Sequence, residues 1–141
     1  MRYVLDSSVA LKWVLAKPDS PRAIRLRDER RAGVHEFLAP DLLPVELGHA
    51  LLKAERRRRI PRGAAWPAWH FILADAPTEF PYAPLMPRAF AISSNSGTGL
   101  YDCLYVALAE REGCELVTSD DRLVRNLGPH FPLIIALNSL P

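Results

Sequence analysis

The sequence predicts an α/β protein built on one central, mostly parallel sheet of four to five short strands, flanked by helices on both faces. Three observations lead there. Short apolar runs alternate along the chain with longer segments of helical period. Those runs are apolar throughout, as strands covered on both faces are. Prolines fall mostly at the joints between segments. The 141 residues fit a single domain spanning 1–141.

Tyr3-Val4-Leu5 reads as the first strand, followed by a helix from about Ser8 to Ala16. Ser20-Pro21 starts the next helix, with serine as cap and proline in the first turn, and Gly33 ends it. Phe37-Leu38-Ala39 is the second strand. Asp41 is expected to cap a helix running to about Arg59, and another helix covers about Arg62 to Ala74. Glu79-Phe80-Pro81 is a weak strand that its proline assigns to a sheet edge. A helix near Leu85 to Ser93 leads into a polar loop from Ser94 to Thr98. A strong helix spans about Gly99 to Glu112 and stops at Gly113. Glu115 to Thr118 is a strand, Asp120 to Leu127 a short helix, and Leu133 to Ala136 the last strand.

Apolar residues make up 49% of the chain, enough for a core without disulfide or metal staples. No apolar run approaches the roughly 18–20 residues of a membrane span. The N-terminus lacks a basic region followed by a long apolar stretch, so no signal peptide is expected. Cys103 and Cys114 form no paired motif and suggest no disulfide framework. Together these predict a soluble, cytoplasmic protein with no membrane partner. A net charge of +2 does not by itself announce nucleic-acid binding. Lysine occurs only at 12, 17 and 53, and the remaining basic side chains are arginine. Arginine suits bidentate phosphate contacts. A GC-rich genome would produce the same bias.

Four acids map to one edge of the predicted sheet. Asp6 follows the first strand, and Asp120 follows Thr118 at the end of a later one. Glu46 lies in the first turns of the helix after the second strand. Asp102 lies in the opening turns of a helix that runs back along the sheet. In such sheets the binding crevice lies beyond the carboxyl ends of the strands. Asp102 is the sharpest anomaly, because Leu100 to Ala109 is otherwise apolar on every helical face. A buried lone carboxylate costs several kcal/mol unless it is paired or binds a metal. Glu46 flanks the stripe of Leu43, Leu47, Ala50, Leu51 and Ala54.

Each acid alone has a plainer reading. Asp6 and Asp120 fit helix caps, Glu46 a surface acid, and Asp102 a charge favoured by the helix dipole. The conjunction weighs against these. Two carboxylates ~5 Å apart repel by roughly 3 kcal/mol at an effective dielectric of about 20. A divalent cation resolves that cost. Oxygen donors without thiolates favour Mg²⁺ or Mn²⁺ over zinc. His35, His49, His70 and His130 have no zinc-ligand spacing. Glu46-x-x-His49 is a lone motif, where a di-iron bundle needs two. The chemistry of a carboxylate–metal site is phosphodiester cleavage by an activated water. There is no Walker-type phosphate loop and no nucleophile elbow.

These motifs resemble those of the PIN-domain nucleases, and specifically the VapC-type toxins of bacterial and archaeal toxin–antitoxin pairs. The resemblance is carried by Val4 to Trp13, Ala39 to Glu46, Tyr101 to Ala109 and Leu116 to Leu123, in the family's order over nearly the whole chain. It implies a metal-dependent endoribonuclease with Asp6, Glu46, Asp102 and Asp120 as its acidic, metal-binding site. Ser8 and Thr118 match small polar positions that support that site. Cys103 stands where alanine is more usual, and Asp121 competes with Asp120 as the last acid. The family is commonly homodimeric and is inhibited by an antitoxin encoded alongside it.

Arg56-Arg57-Arg58-Arg59, with Arg62, reads either as a solvated helix end or as a contact for RNA phosphates. The arginines of the second helix, from Arg22 to Arg31, read as a solvated face. Trp13, Trp66 and Trp69 are core by default, though Trp66 and Trp69 share a helical face suited to a partner such as the antitoxin. A haloacid-dehalogenase-like phosphatase would want an acid two residues after Asp6, where Ser8 stands. A receiver domain would want a late lysine. A non-catalytic RNA- or partner-binding PIN module would usually have lost one of the four acids.

Overall fold

The computed structural model describes all 141 residues. In chain order the elements are β1 (Arg2–Leu5), α1 (Ser7–Leu11), α2 (Ser20–Arg31), β2 (Glu36–Pro40), α3 (Leu43–Arg56), α4 (Ala65–Leu73), β3 (Thr78–Phe80), α5 (Met86–Ser96), α6 (Leu100–Glu112), β4 (Glu115–Thr118), α7 (Asp121–Leu127) and β5 (Ile134–Ala136). The five strands form one sheet in the order β3-β2-β1-β4-β5, and every pair is parallel. Successive side chains of a strand point to opposite faces. Tyr3, Val4 and Leu5 are all buried, as are Leu116, Val117 and Thr118, so both faces of the central strands are covered.

Helix α6 is the spine of the packing. Cys103 to Ala109 are buried without exception, and the helix packs on β1, β2 and β4. Gly113, at φ +64°, takes the left-handed conformation that turns the chain into β4. Helices α3 and α4 pack as a pair. Gly48 faces the Trp69 ring across this junction, where a β-carbon would make an ordinary contact at 3.8 Å. The Trp69 indole N–H donates to the Pro44 carbonyl across the same junction (2.8 Å). Trp13 is core, its indole donating to the Ala23 carbonyl.

The structure corrects several helix limits. α1 ends at Leu11 rather than near Ala16, because the chain turns over Lys12 to Leu15 so that Trp13 can enter the core. Asp19, not Ser20, holds the cap position of α2. Ser20 is instead tied back to Lys17 and Leu15. Asp41 does not cap α3: its carboxylate accepts from the Tyr82 amide (3.1 Å), joining the chain after β2 to the chain after β3. α3 stops at Arg56 and α4 starts at Ala65, so Arg58, Arg59 and Arg62 lie in the connection. The expected polar loop from Ser94 is helical as far as Ser96, whose hydroxyl bonds the Ile92 carbonyl one turn back. Gly97, at φ +73°, ends that helix.

Candidate active site

β1 sits mid-sheet, with β2 and β3 laid to one side and β4 and β5 to the other. The order therefore reverses between β1 and β4, and a crevice opens beyond their carboxyl ends. Asp6 leaves β1 at that point, and its amide still bonds the Val117 carbonyl of β4 (3.1 Å). Although Asp6 precedes α1, its carboxylate makes no capping bond. It is buried, at 4% exposure, and accepts from the hydroxyls of Ser8 (2.6 Å) and Thr118 (2.7 Å) on the same oxygen. Both hydroxyls have a second task. Ser8 accepts from the Ser119 amide (2.9 Å), and Thr118 accepts from the Asp120 amide (3.1 Å). The end of β4 is thereby stitched to the end of β1.

Asp120 caps α7, one oxygen accepting from the amides of Arg122 (2.9 Å) and Leu123 (3.3 Å). The plain cap reading of Asp120 thus holds, and it leaves the second oxygen uncommitted. Glu46 rises from the first turn of α3, whose Leu43, Leu47 and Leu51 are buried beneath it. The Tyr105 hydroxyl donates to Glu46 Oε1 (2.7 Å). Asp102, in the first turn of α6, is half-buried rather than enclosed. The fully enclosed acid is Asp6, because the crevice opens over the start of α6.

The four acids act on one another electrically. Burial, the largest cause, pushes the Asp6 carboxyl upward; its hydroxyl partners oppose this and Asp120 reinforces it. Glu46 is raised to about 7, by desolvation first, with Asp6 and Asp102 adding to it against the pull of Tyr105. Asp102 is raised to about 6, again by desolvation, then by Asp6 and Asp120, with Arg122 opposing. The Tyr105 hydroxyl is pushed up by burial and by Glu46, so it remains a donor.

None of the four acids has a cationic partner within 4.0 Å, although the acids of the outer surface are widely paired with arginine. Uncompensated, partly desolvated carboxylates of oxygen-only character fit a hard divalent cation in charge and donor type. In this geometry no three acidic, histidine or cysteine side chains are grouped closely enough to hold an ion.

Sequence reasoning missed two members of this region. Tyr105 reads as one more apolar helix residue, and only the folded structure reveals its hydroxyl on Glu46. Lys12 forms an ion pair with Asp19, and Asp19 also accepts from the Ser119 hydroxyl (3.1 Å), bracing the loop that carries Asp120.

Residues 3–127 match the model of the PIN domain family. The chain is 30% identical to Ribonuclease VapC3 of Pyrobaculum aerophilum, over 96% of this chain and 98% of that protein. It is 31% identical to Ribonuclease VapC1 of Mycobacterium tuberculosis, over 95% and 96% respectively. Among solved structures, a Pyrobaculum aerophilum protein superposes with a TM-score of 0.71 at 23% identity, covering 99% of this chain and 94% of that one. A chain of a toxin–antitoxin complex from Klebsiella pneumoniae gives a TM-score of 0.62 at 11% identity, covering 96% and 97%, and likewise shares the fold.

Proposed function

The chain belongs to the PIN domain family, and from that premise we propose that it is a metal-dependent endoribonuclease, the toxin of a VapBC-like toxin–antitoxin pair. One observation supports the reading: Asp6, Glu46, Asp102 and Asp120, none with a cationic partner within 4.0 Å, sit at the carboxyl-end side of a parallel sheet, near enough for their charges to act on one another. The relatives named VapC ribonucleases support the choice of RNA as substrate.

Asp6, Glu46, Asp102 and Asp120 would hold Mg²⁺ or Mn²⁺. Bound there, the cation supplies an acidified, oriented water and offsets charge on the scissile phosphate. The chain's own groups do the rest. Ser8 and Thr118 fix the rotamer of Asp6 and leave its other oxygen free. The amides at the start of α7 hold Asp120. The Tyr105 hydroxyl, donating to Glu46 Oε1, fixes the orientation of Glu46.

Partner surfaces follow from the exposed apolar residues. Val45 (76% exposed) and Tyr101 (63% exposed) border a cleft of about 400 Å³ with Tyr82, Met86 and Leu100, beside the acids. This face suits a second copy of the chain. Trp66 (68% exposed) stacks on Trp69 at 5.5 Å, and with Leu52 it lines a separate apolar hollow suited to the antitoxin. Val45→Lys is expected to convert a dimer to a monomer in sedimentation; a dimer of undiminished stability would move the interface elsewhere.

The reading as a whole is tested with purified protein on a pool of structured RNA. Cleavage with Mg²⁺ or Mn²⁺ that is lost in EDTA is the expected result. Folded protein that cuts no RNA under these conditions would favour the non-catalytic PIN module instead.

A further inference from the structure

The end of α3 carries a charge pattern that the acidic site does not explain. Arg56, Arg58, Arg59 and Arg62 line an open cleft of about 590 Å³ with Glu55, Ile60 and Pro61. None of these arginines, nor Arg57 or Lys53, has an acidic partner within 4.0 Å. Elsewhere arginines are mostly engaged: Arg25 with Glu29, Arg31 with Asp75, Arg88 with Glu110. The one acid in the cleft, Glu55, is committed to the backbone, accepting from the amides of Gly63 (2.7 Å) and Ala65 (3.2 Å).

The loop is built rather than slack. Arg58 takes φ +58°, the only non-glycine residue of the chain in the left-handed region. Such a conformation carries a cost and persists where the surroundings fix it. Here the Arg59 amide returns to the Ala54 carbonyl (2.9 Å), and Glu55 pins the far end of the loop. Like-charged side chains are thus held together without counter-charge, which favours an anionic ligand.

The cleft is linked to the acids along α3. At 100° per residue, positions 46, 50, 53 and 57 share one face, with 49 at its border. His49 and Ala50 border the crevice beside Glu46. Lys53 and Arg57, exposed, continue the line to the cleft. At 1.5 Å per residue, Arg57 lies about 16 Å from Glu46 along the helix. That length spans about five phosphates at the roughly 3.4 Å rise of a stacked strand.

We propose that the face of α3 from His49 through Lys53 and Arg57 to the arginine cleft is a phosphate track, so the protein takes RNA strands long enough to reach the cleft from the acidic site. This rests on the ribonuclease reading for its choice of ligand. A short fragment engages only part of the track, whereas a longer one is also held at the cleft.

The test measures binding of fluorescein-labelled unpaired RNA from about 4 to about 16 nucleotides, using full-length protein in EDTA so that nothing is consumed. Affinity should climb with length until the strand spans the track, then level off. Six cations along the track give a salt slope of up to about −4 on log–log axes. The double variant Lys53→Gln/Arg57→Gln should shallow that slope by about 1.4 and weaken long strands more than short ones. The charge-keeping variant Lys53→Arg/Arg57→Lys should keep the slope, which separates charge from damage to the helix. Length-independent affinity, or an unchanged slope in the glutamine variant, would overturn the track. Cleavage with no length effect sinks this inference and leaves the ribonuclease reading standing. A length-dependent salt slope without cleavage in metal does the reverse.

Discussion

Asp6→Asn is expected to reduce RNA cleavage at least about a thousandfold, about 4 kcal/mol of transition-state stabilisation, while the protein stays folded. The substitution keeps size and shape. The amide oxygen can still accept from Ser8 and Thr118, so the stitch between β1 and β4 survives. What is lost is the charge of the most buried acid of the four, which is coupled to Glu46, Asp102 and Asp120. Without it the site loses both a ligand and much of its attraction for a divalent cation. Folding itself should not suffer, because burial already disfavours the charged form of Asp6. Cleavage and thermal unfolding must be measured on the same preparation. Cleavage within about tenfold of wild type would remove Asp6 from the site. An unfolded variant would recast it as a structural residue whose charge the β1–β4 junction requires.

Much of the site is legible from the sequence because a parallel sheet converts chain position into spatial position. An acid immediately after a strand, or in the first turn of the helix that follows, lands on the carboxyl edge. Asp6, Asp120, Glu46 and Asp102 are all positions of that kind. The strands were equally readable, since Tyr3-Val4-Leu5 and Leu116-Val117 are short apolar runs of the sort that occupy a doubly covered sheet. Strand order follows less directly, because nothing local to β4 says that it pairs with β1 more than 110 residues earlier.

The misses have a common physical cause: side chains with several possible partners are decided by tertiary contacts. Asp41 is a good helix cap in isolation, yet the Tyr82 amide claims it once β2 and β3 pair. Ser94 and Ser96 read as loop residues because hydroxyls compete with the backbone. In α5 the Ser96 hydroxyl bonds within the helix, and the Ser93 hydroxyl reaches the Thr98 carbonyl. Tyr105 is the consequential case. Its ring is indistinguishable from core in the pattern of α6, while its hydroxyl sets the orientation of Glu46.

The raised carboxyls also make the metal-free fold sensitive to pH in an unusual direction. Paired acids such as Asp75, Glu29 and Glu110 are held below their ordinary values by arginine or histidine hydrogen bonds. Their contribution is present above those ordinary values and is complete by about pH 5. Glu46 and Asp102 behave oppositely. Glu46 moves from 4.5 in the open chain to about 7, and Asp102 from 3.8 to about 6. Between those limits the folded state binds more protons than the unfolded one, so stability falls as pH rises. Metal-free protein should therefore melt lower at pH 8 than at pH 5. With allowance for solvent at these half-open sites, the loss is on the order of 2 kcal/mol, or about 5 °C. Glu46→Gln keeps an oxygen for the Tyr105 hydroxyl and Asp102→Asn keeps its shape, so each should flatten the slope and stabilise the metal-free fold near neutral pH. Mg²⁺ competes with protons for the same oxygens and should raise the melting temperature more at pH 8 than at pH 5. A melting temperature level across this range, or an equal slope in both variants, would mean that the acids are better solvated than their burial implies. The gain from Mg²⁺ would then have to come from elsewhere on the surface.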